Sequence, residues 1–480
     1  PYSPAVPALR WSQGEGYGLD APRVRAALEE GSAGFILFGG TADAAREAAR
    51  ELIGRAGRPL LLGADLERGA GQQFHGATPL PPLAALGALG DPGVIRQAAA
   101  LTAREACALG VPWIFAPVAD LAVEPDNPIV ATRALGADPP TVGEQVAAWV
   151  EGCMSAGGIP CVKHFPGHGR TREDSHAALP VVDASRELLE STDLVPFRRG
   201  IQAGAPSVMT AHVAYPALDP SGLPATRSRA ILTGLLRGRM GFGGVVVTDA
   251  LIMEGAGRGQ AALEEALAAG VDLLLYPPED AAVGEAVGRA LEAGRLDPAD
   301  WAASRARVEA VAAGLPAAQG GWGAEADRLQ ARAWASRVLV PPRDRLTPGV
   351  SVDLTVVDDD LGGPYPPPSR ETFPLVLRRG GLLESGDGPA LPVLAVFGEP
   401  RAWKGRAGLS ARARDRAAAW AASLPAGPRG AGGLVVIFGG PRVSADAPGG
   451  VPTLLAWGGE PLMQEAAAGW LVAALRSGTS

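Results

Sequence analysis

Lysine is almost missing from this chain of 480 residues, which holds Lys163 and Lys404 beside only five histidines, three cysteines and 5% aromatic residues. Each scarcity removes a class of function. No apolar run approaches the roughly 20 residues needed to cross a bilayer, and residues 1–18 lack a basic stretch followed by an apolar core. A soluble, unexported protein with no membrane partner is expected. The net charge of −8 comes without any Lys/Arg cluster interleaved with aromatics, which argues against nucleic acid as a partner. Cys107, Cys153 and Cys161 are odd in number and show no CxxC spacing, which disfavours a disulfide framework or a zinc knuckle and fits a reducing cytoplasm.

What the chain does contain is a strong alternation. Eight short apolar segments fall at 5–11, 34–38, 59–64, 111–117, 158–164, 206–212, 243–249 and 271–276. Most are separated by Ala/Leu/Arg/Glu stretches of helical composition, at 44–56, 143–156, 186–203 and 260–269. Strands alternating with helices predict parallel βα units, and eight of them in this length match a (β/α)8 barrel. Beyond it the chain is rich in Gly and Pro at 314–323, contains prolines at 341–348, and then alternates once more. The predicted architecture is therefore α/β: a (β/α)8 barrel over 1–344 followed by a smaller α/β domain over 345–480. An open, doubly wound sheet is the competing arrangement, because it too places polar residues at strand C-termini.

The scarce residues are concentrated in Lys163-His-Phe-Pro-Gly-His-Gly-Arg-Thr-Arg-Glu-Asp-Ser-His176, which holds one of the two lysines and three of the five histidines. Pro166, Gly167 and Gly169 are poor residues for a helix interior, so the stretch reads as a loop after a buried strand. Asp65, Asp120, Lys163, His164, His212 and Asp249 all fall at or just beyond predicted strand C-termini, the face on which barrels carry their sites.

Asp249 ends the apolar run Val245-Val-Val-Thr-Asp249, and a carboxylate there must meet water, a ligand or a cation. It reads either as a cap for the following helix or as a nucleophile able to attack the anomeric carbon of a sugar. Such chemistry also needs a proton donor with a pKa near neutrality. Asp174 and His176, separated by Ser175, suit a carboxylate–imidazole pair in which the Asp orients the ring and favours its charged form. The same histidines would also suit a metal site, although Lys163 would repel a divalent ion and the glycines and proline prevent helical ligand spacing. Lys163 and His164 suit donation to substrate hydroxyls, Asp65 suits acceptance from them, and Arg133 offers a further donor.

Together these motifs resemble glycoside hydrolase family 3, in its bacterial β-N-acetylglucosaminidase branch. The likeness spans roughly residues 30–280 and is strongest in the KHFPGHG sequence starting at Lys163 and the DSH triplet ending at His176. Pro224-Ala-Thr-Arg-Ser228, Met209-Thr-Ala-His212 and the approach to Asp249 also fit. The resemblance implies a retaining exo-β-N-acetylglucosaminidase with Asp249 as nucleophile, His176 as acid/base and Asp174 as its partner. It also implies sugar contacts from Asp65, Arg133, Lys163, His164 and His212, no cofactor or metal, and a small glycan substrate drawn from muropeptides or chitin-type fragments, in peptidoglycan turnover.

The chain departs from the family pattern twice. After Asp65 it reads Leu-Glu-Arg-Gly-Ala70, with Ala70 where the branch carries a sugar-binding arginine, and Ala250 follows the nucleophile where another aspartate is common. Three rivals therefore remain at this stage. A phosphorylase would exploit the lack of charge repulsion between a histidine acid and phosphate, a metal-dependent hydrolase would use the histidine loop, and a retired enzyme would bind glycan without turnover.

Overall fold

The computed structural model describes residues 2–173, 175, 178–278, 281–344, 346–363, 367–383, 389–427 and 430–477. The chain divides into two compact units, one comprising Pro1–Pro79, Gly90–Val123 and Ala134–Arg328, the other Leu80–Leu89, Glu124–Arg133 and Leu329–Ser480.

In the first unit the predicted strands form one parallel sheet that runs Ala8–Arg10, Gly34–Phe38, Leu61–Ala64, Trp113–Ile114, Ile159–Phe165, Ser207–Thr210 and Val245–Val247, in chain order. Val247 then bridges in parallel to Leu273, while Leu274–Leu275 pairs with Ala5–Val6. Because Ala5–Val6 and Ala8–Arg10 flank Pro7 on one strand, these last links close the ring, and the (β/α)8 barrel expected from the sequence is the one formed. Its interior is packed by side chains including Ile36, Leu61, Trp113, Phe115, Cys161, Met209, Val245 and Leu273. The indole N–H of Trp113 donates to Ser207 Oγ at 3.0 Å, so the one polar atom of that ring is satisfied within the core.

The helix Ala42–Ala56 shows how sequence dictates the outer layer. Ala42, Ala45, Ala49 and Leu52 fall on one helical face and are buried, while Thr41 caps the start by accepting from the Ala44 N–H. One predicted helix is divided. The single segment expected over 186–203 is two, Arg186–Ser191 and Leu194–Gln202. The Thr192 hydroxyl bonds back to Leu188 O, and the break leaves the buried carboxylate of Asp193 to receive Arg170 Nε at 2.8 Å.

The second unit holds a four-stranded parallel sheet in the order Ser351–Asp358, Ala390–Phe397, Leu434–Phe438 and Thr453–Leu455. With helices Thr372–Arg379, Ala411–Ala422 and Pro461–Ser477 they form the smaller α/β unit expected from the renewed alternation. Its membership begins earlier than residue 345. Val340 bridges Leu455, and Trp457 Nε1 donates to Val338 O at 2.7 Å, so the chain just before 345 is already tied to the second sheet. No helix among the described residues is long and apolar enough to cross a membrane.

Candidate active site

The C-terminal ends of the barrel strands bring most of the scarce residues together. Lys163 and His164 precede the last residue of the strand Ile159–Phe165, and both are buried. Lys163, 1% exposed, places Nζ 2.8 Å from Asp65 Oδ1 and 2.7 Å from Glu67 Oε1. A desolvated ammonium needs such partners, and two carboxylates from the loop after Leu61–Ala64 supply them. Asp65 is the more open of the two at 31% exposure, so it keeps a face toward solvent while Glu67 does not.

His164 is aimed by Asp120. The fully buried Asp120 accepts from the His164 backbone N–H at 3.2 Å and from Nδ1 at 2.7 Å, and from the His168 backbone N–H at 2.6 Å. Burial pushes the Asp120 carboxyl up, but His164, His168 and these bonds outweigh it and hold it below the usual carboxylate range. With Nδ1 so engaged, His164 turns Nε2 toward Asp249 Oδ2, 4.0 Å away.

Asp249 follows Val245–Val247 and is partly buried. Burial pushes its pKa up, yet His164, His212, the Ala250 N–H at 2.7 Å from Oδ1 and Lys163 together hold it at about 2. It is an ionised carboxylate at a strand tip, flanked by groups that stabilise negative charge. The helix-capping alternative is not what forms, because the following 3-10 turn, Glu254–Ala256, and the α-helix from Gly259 begin after Met253 and Arg258, not after Asp249.

His212 is fully buried with both ring nitrogens engaged. Nε2 lies 3.3 Å from the Ala250 carbonyl, which has no proton to give, so Nε2 carries the hydrogen, and Nδ1 lies 2.7 Å from Thr226 Oγ1. Burial lowers its pKa against the pull of Asp249, which agrees with a neutral ring. In this arrangement His212 secures the backbone beside Asp249, where a sugar contact was expected of it.

The histidine loop starts as a close fit. A Cβ on Gly169 would lie 1.8 Å from Leu121 O, so only glycine permits that approach of two backbones. Asp174 and His176 lie outside the described residues. Arg133 ends the turn Ala131–Arg133 in a segment that groups with the second unit, and its N–H donates to Val130 O at 2.7 Å. Ala70 is fully buried at the start of the turn Ala70–Gln72 and offers no polar side chain.

Two residues of the site were not singled out by sequence reasoning. Asp120 has only its place among the strand tips to mark it in the sequence, and Glu67 only its position two residues after Asp65. No group of three or more His, Cys, Asp or Glu side chains that would hold a metal ion occurs among the described residues.

Comparison with known proteins fits this geometry. The sequence profile of the glycosyl hydrolase family 3 N-terminal domain matches residues 34–311. The chain is 44% identical over 230 residues to a β-hexosaminidase of Xylella fastidiosa strain M23, covering 46% of this chain and 68% of that one. It also resembles the solved structure of a family 3 β-N-acetylglucosaminidase from Paenibacillus sp. strain FPU-7, with a TM-score of 0.81 at 28% identity over 98% of this chain and 95% of the other. A β-glucoside phosphorylase shares the fold at a TM-score of 0.84 and 21% identity, covering 100% of this chain and 91% of the other.

Proposed function

Because the chain belongs to glycosyl hydrolase family 3, and is accordingly a glycoside hydrolase, we propose that it is a retaining exo-β-N-acetylglucosaminidase that cleaves terminal β-linked N-acetylglucosamine from small glycans. The observation that carries this reading is the state of Asp249, a strand-tip carboxylate held ionised to about pH 2 with His164 Nε2 4.0 Å from Oδ2. Such a group is a ready nucleophile for an anomeric carbon. The names of the relatives, β-hexosaminidase and β-N-acetylglucosaminidase, supply the sugar class.

In the first step an Asp249 oxygen forms a bond to C1 as the bond from C1 to the leaving oxygen breaks, and the His176 imidazolium gives its proton to that oxygen. In the second step water attacks C1, neutral His176 takes the water proton, and Asp249 leaves with the bonding electrons. Asp174 orients the His176 ring in this scheme. Asp65 accepts from sugar hydroxyls, Lys163 and His164 hold the charge balance and donate, Arg133 adds a sugar contact, and His212 secures the nucleophile's segment. The scheme requires no cofactor or metal. Muropeptide or chitin-type fragments in the cytoplasm, as part of peptidoglycan turnover, are the natural substrates we assign from the family likeness.

The test is kcat/KM for an aryl N-acetyl-β-glucosaminide beside the matching β-glucoside, with and without phosphate, for wild type and Asp249→Asn. The proposal expects preference for the N-acetyl sugar, free N-acetylglucosamine as product even in phosphate, and near-complete loss in the variant. Preference for the glucoside, a sugar 1-phosphate product, or an active Asp249→Asn would contradict it.

A further inference from the structure

The loop that carries the DSH triplet is fastened at Gly167, His168 and Arg170, and again at Ser175. The early anchors are Tyr215 Oη donating to Gly167 O at 2.7 Å, the His168 N–H donating to Asp120, and Arg170 bound to Asp193. The later anchor is Ser175, the middle residue of the triplet, which is 1% exposed. Its Oγ lies 3.0 Å from His168 Nε2, and its carbonyl accepts from the Gly255 N–H at 3.0 Å.

The direction of the Ser175 bond follows from its neighbours. The Thr171 hydroxyl donates to His168 O at 3.2 Å, so at 2.8 Å it accepts from His168 Nδ1–H. Burial keeps the His168 ring neutral, with a pKa lowered to about 4. Nε2 therefore presents a lone pair, and the Ser175 hydroxyl donates to it. From the other side, a Cβ on Gly255 would lie 3.0 Å from Ser175 O, 3.0 Å from His212 O and 3.1 Å from Ala178 O. Residue 255 must lack a side chain for its N–H to reach Ser175 without displacing these carbonyls.

We propose that Ser175 is the positioning residue of the acid/base step: pinned by His168 and by the Gly255 N–H, it fixes the point of chain from which Asp174 and His176 extend on either side. Gly255 lies in the segment that follows Asp249 and whose Ala250 carbonyl is bonded by His212, so one stretch of backbone serves both the nucleophile and the proton donor. The proposal rests on the assignment of His176 as acid/base.

The experiment measures kcat/KM on two N-acetyl-β-glucosaminides, one with a 2,4-dinitrophenolate leaving group that needs no proton and one with an alkyl or methoxyphenyl group that does. The readout is their ratio within one enzyme preparation, which a loss of folded fraction leaves unchanged. Ser175→Ala is expected to lower the poor-leaving-group substrate by about 10- to 100-fold, the cost of misplacing a reacting group by roughly 1 Å, while the dinitrophenyl substrate changes by less than about threefold. Gly255→Ala, acting on the opposite side of the same residue, should skew the ratio in the same direction. His176→Ala is the reference and should skew it by about 10²–10⁴. If His176→Ala skews the ratio and neither other variant does, the positioning role is wrong and the acid/base assignment stands. If His176→Ala leaves the ratio unchanged, both fall.

Discussion

Lys163 shows how much a single residue does when its kind is scarce. Its ammonium is 1% exposed between Asp65 and Glu67, so it neutralises two carboxylates and also helps hold Asp249 ionised. Lys163→Met should therefore cost about 3–5 kcal/mol by stranding buried charge, read as a lowered denaturation midpoint. A change within about 0.5 kcal/mol would show that the carboxylates are solvated without it. The scarcity of lysine and histidine made Lys163, His164 and the loop legible in the sequence. Glu67 and Asp120 were harder to see because acidic residues are common here, and only the folded register reveals which of them meet a cation.

Acid/base assignments at this scale give a pH profile. Asp249, held at about 2, is ionised throughout the accessible range and contributes no acid limb to kcat/KM above about pH 3. In the proposed mechanism an alkaline limb reports loss of the proton that the acid/base residue gives to the leaving oxygen. That limb should be present for a poor leaving group and absent for dinitrophenolate. An alkaline limb of equal size on both substrates would point to a group needed for binding.

At the scale of elements, the loops after Ile159–Phe165 and Ser207–Thr210 each bury a histidine, His168 and His212. His168 is pushed down to about 4 by burial, and His212 is lowered by the same cause. An unfolded histidine binds a proton near pH 6.5 while folded His168 does not until about pH 4, so the unfolded state gains protons first. Stability therefore falls as pH drops from about 6.5 to 4 and then levels with respect to this group, by on the order of 3 kcal/mol for His168. Urea denaturation at a series of pH values should show that slope, reduced in His168→Gln. A flat profile over this window would mean the ring is charged or hydrated in the folded state.

Element boundaries were partly legible. The barrel strands and the helix Ala42–Ala56 follow from apolar runs and helical spacing, whereas the division of 186–203 does not. Its cause is a tertiary partner, the Asp193–Arg170 pair, and local periodicity carries no record of that. Gly169 is similar, since the reason for glycine is a Leu121 carbonyl far away in sequence. Gly169→Ala should destabilise the protein by several kcal/mol, as overpacking against rigid backbone does, and a melting temperature within a degree of wild type would contradict the fit.

On the scale of the whole molecule, the chain pairs a closed barrel with a second α/β unit that uses the other lysine. Lys404 is 2% exposed, bonded to Asp360 and to Glu399 O, while Arg370 also binds Asp360. Burial raises the Asp360 pKa even beside these cations, so removing one strands a poorly solvated carboxylate. Lys404→Met should lower the stability of the second unit by about 3–5 kcal/mol, and an unchanged unfolding profile would assign no structural weight to the pair. The two-part architecture was legible from alternation alone. The grouping of Leu80–Leu89 and Glu124–Arg133 with the second unit was not, because it depends on where those segments pack and not on their composition.

The central claim is that Asp249 forms a covalent bond to the sugar, and trapping that intermediate tests it most directly. The enzyme would be treated with a fluorinated N-acetylglucosaminyl fluoride that slows turnover, then digested and analysed by mass spectrometry. The account expects one sugar adduct, on the peptide containing Asp249, and none in Asp249→Asn. Steady turnover of an aryl N-acetyl-β-glucosaminide with no adduct, or with the sugar released first as its α anomer, would contradict it.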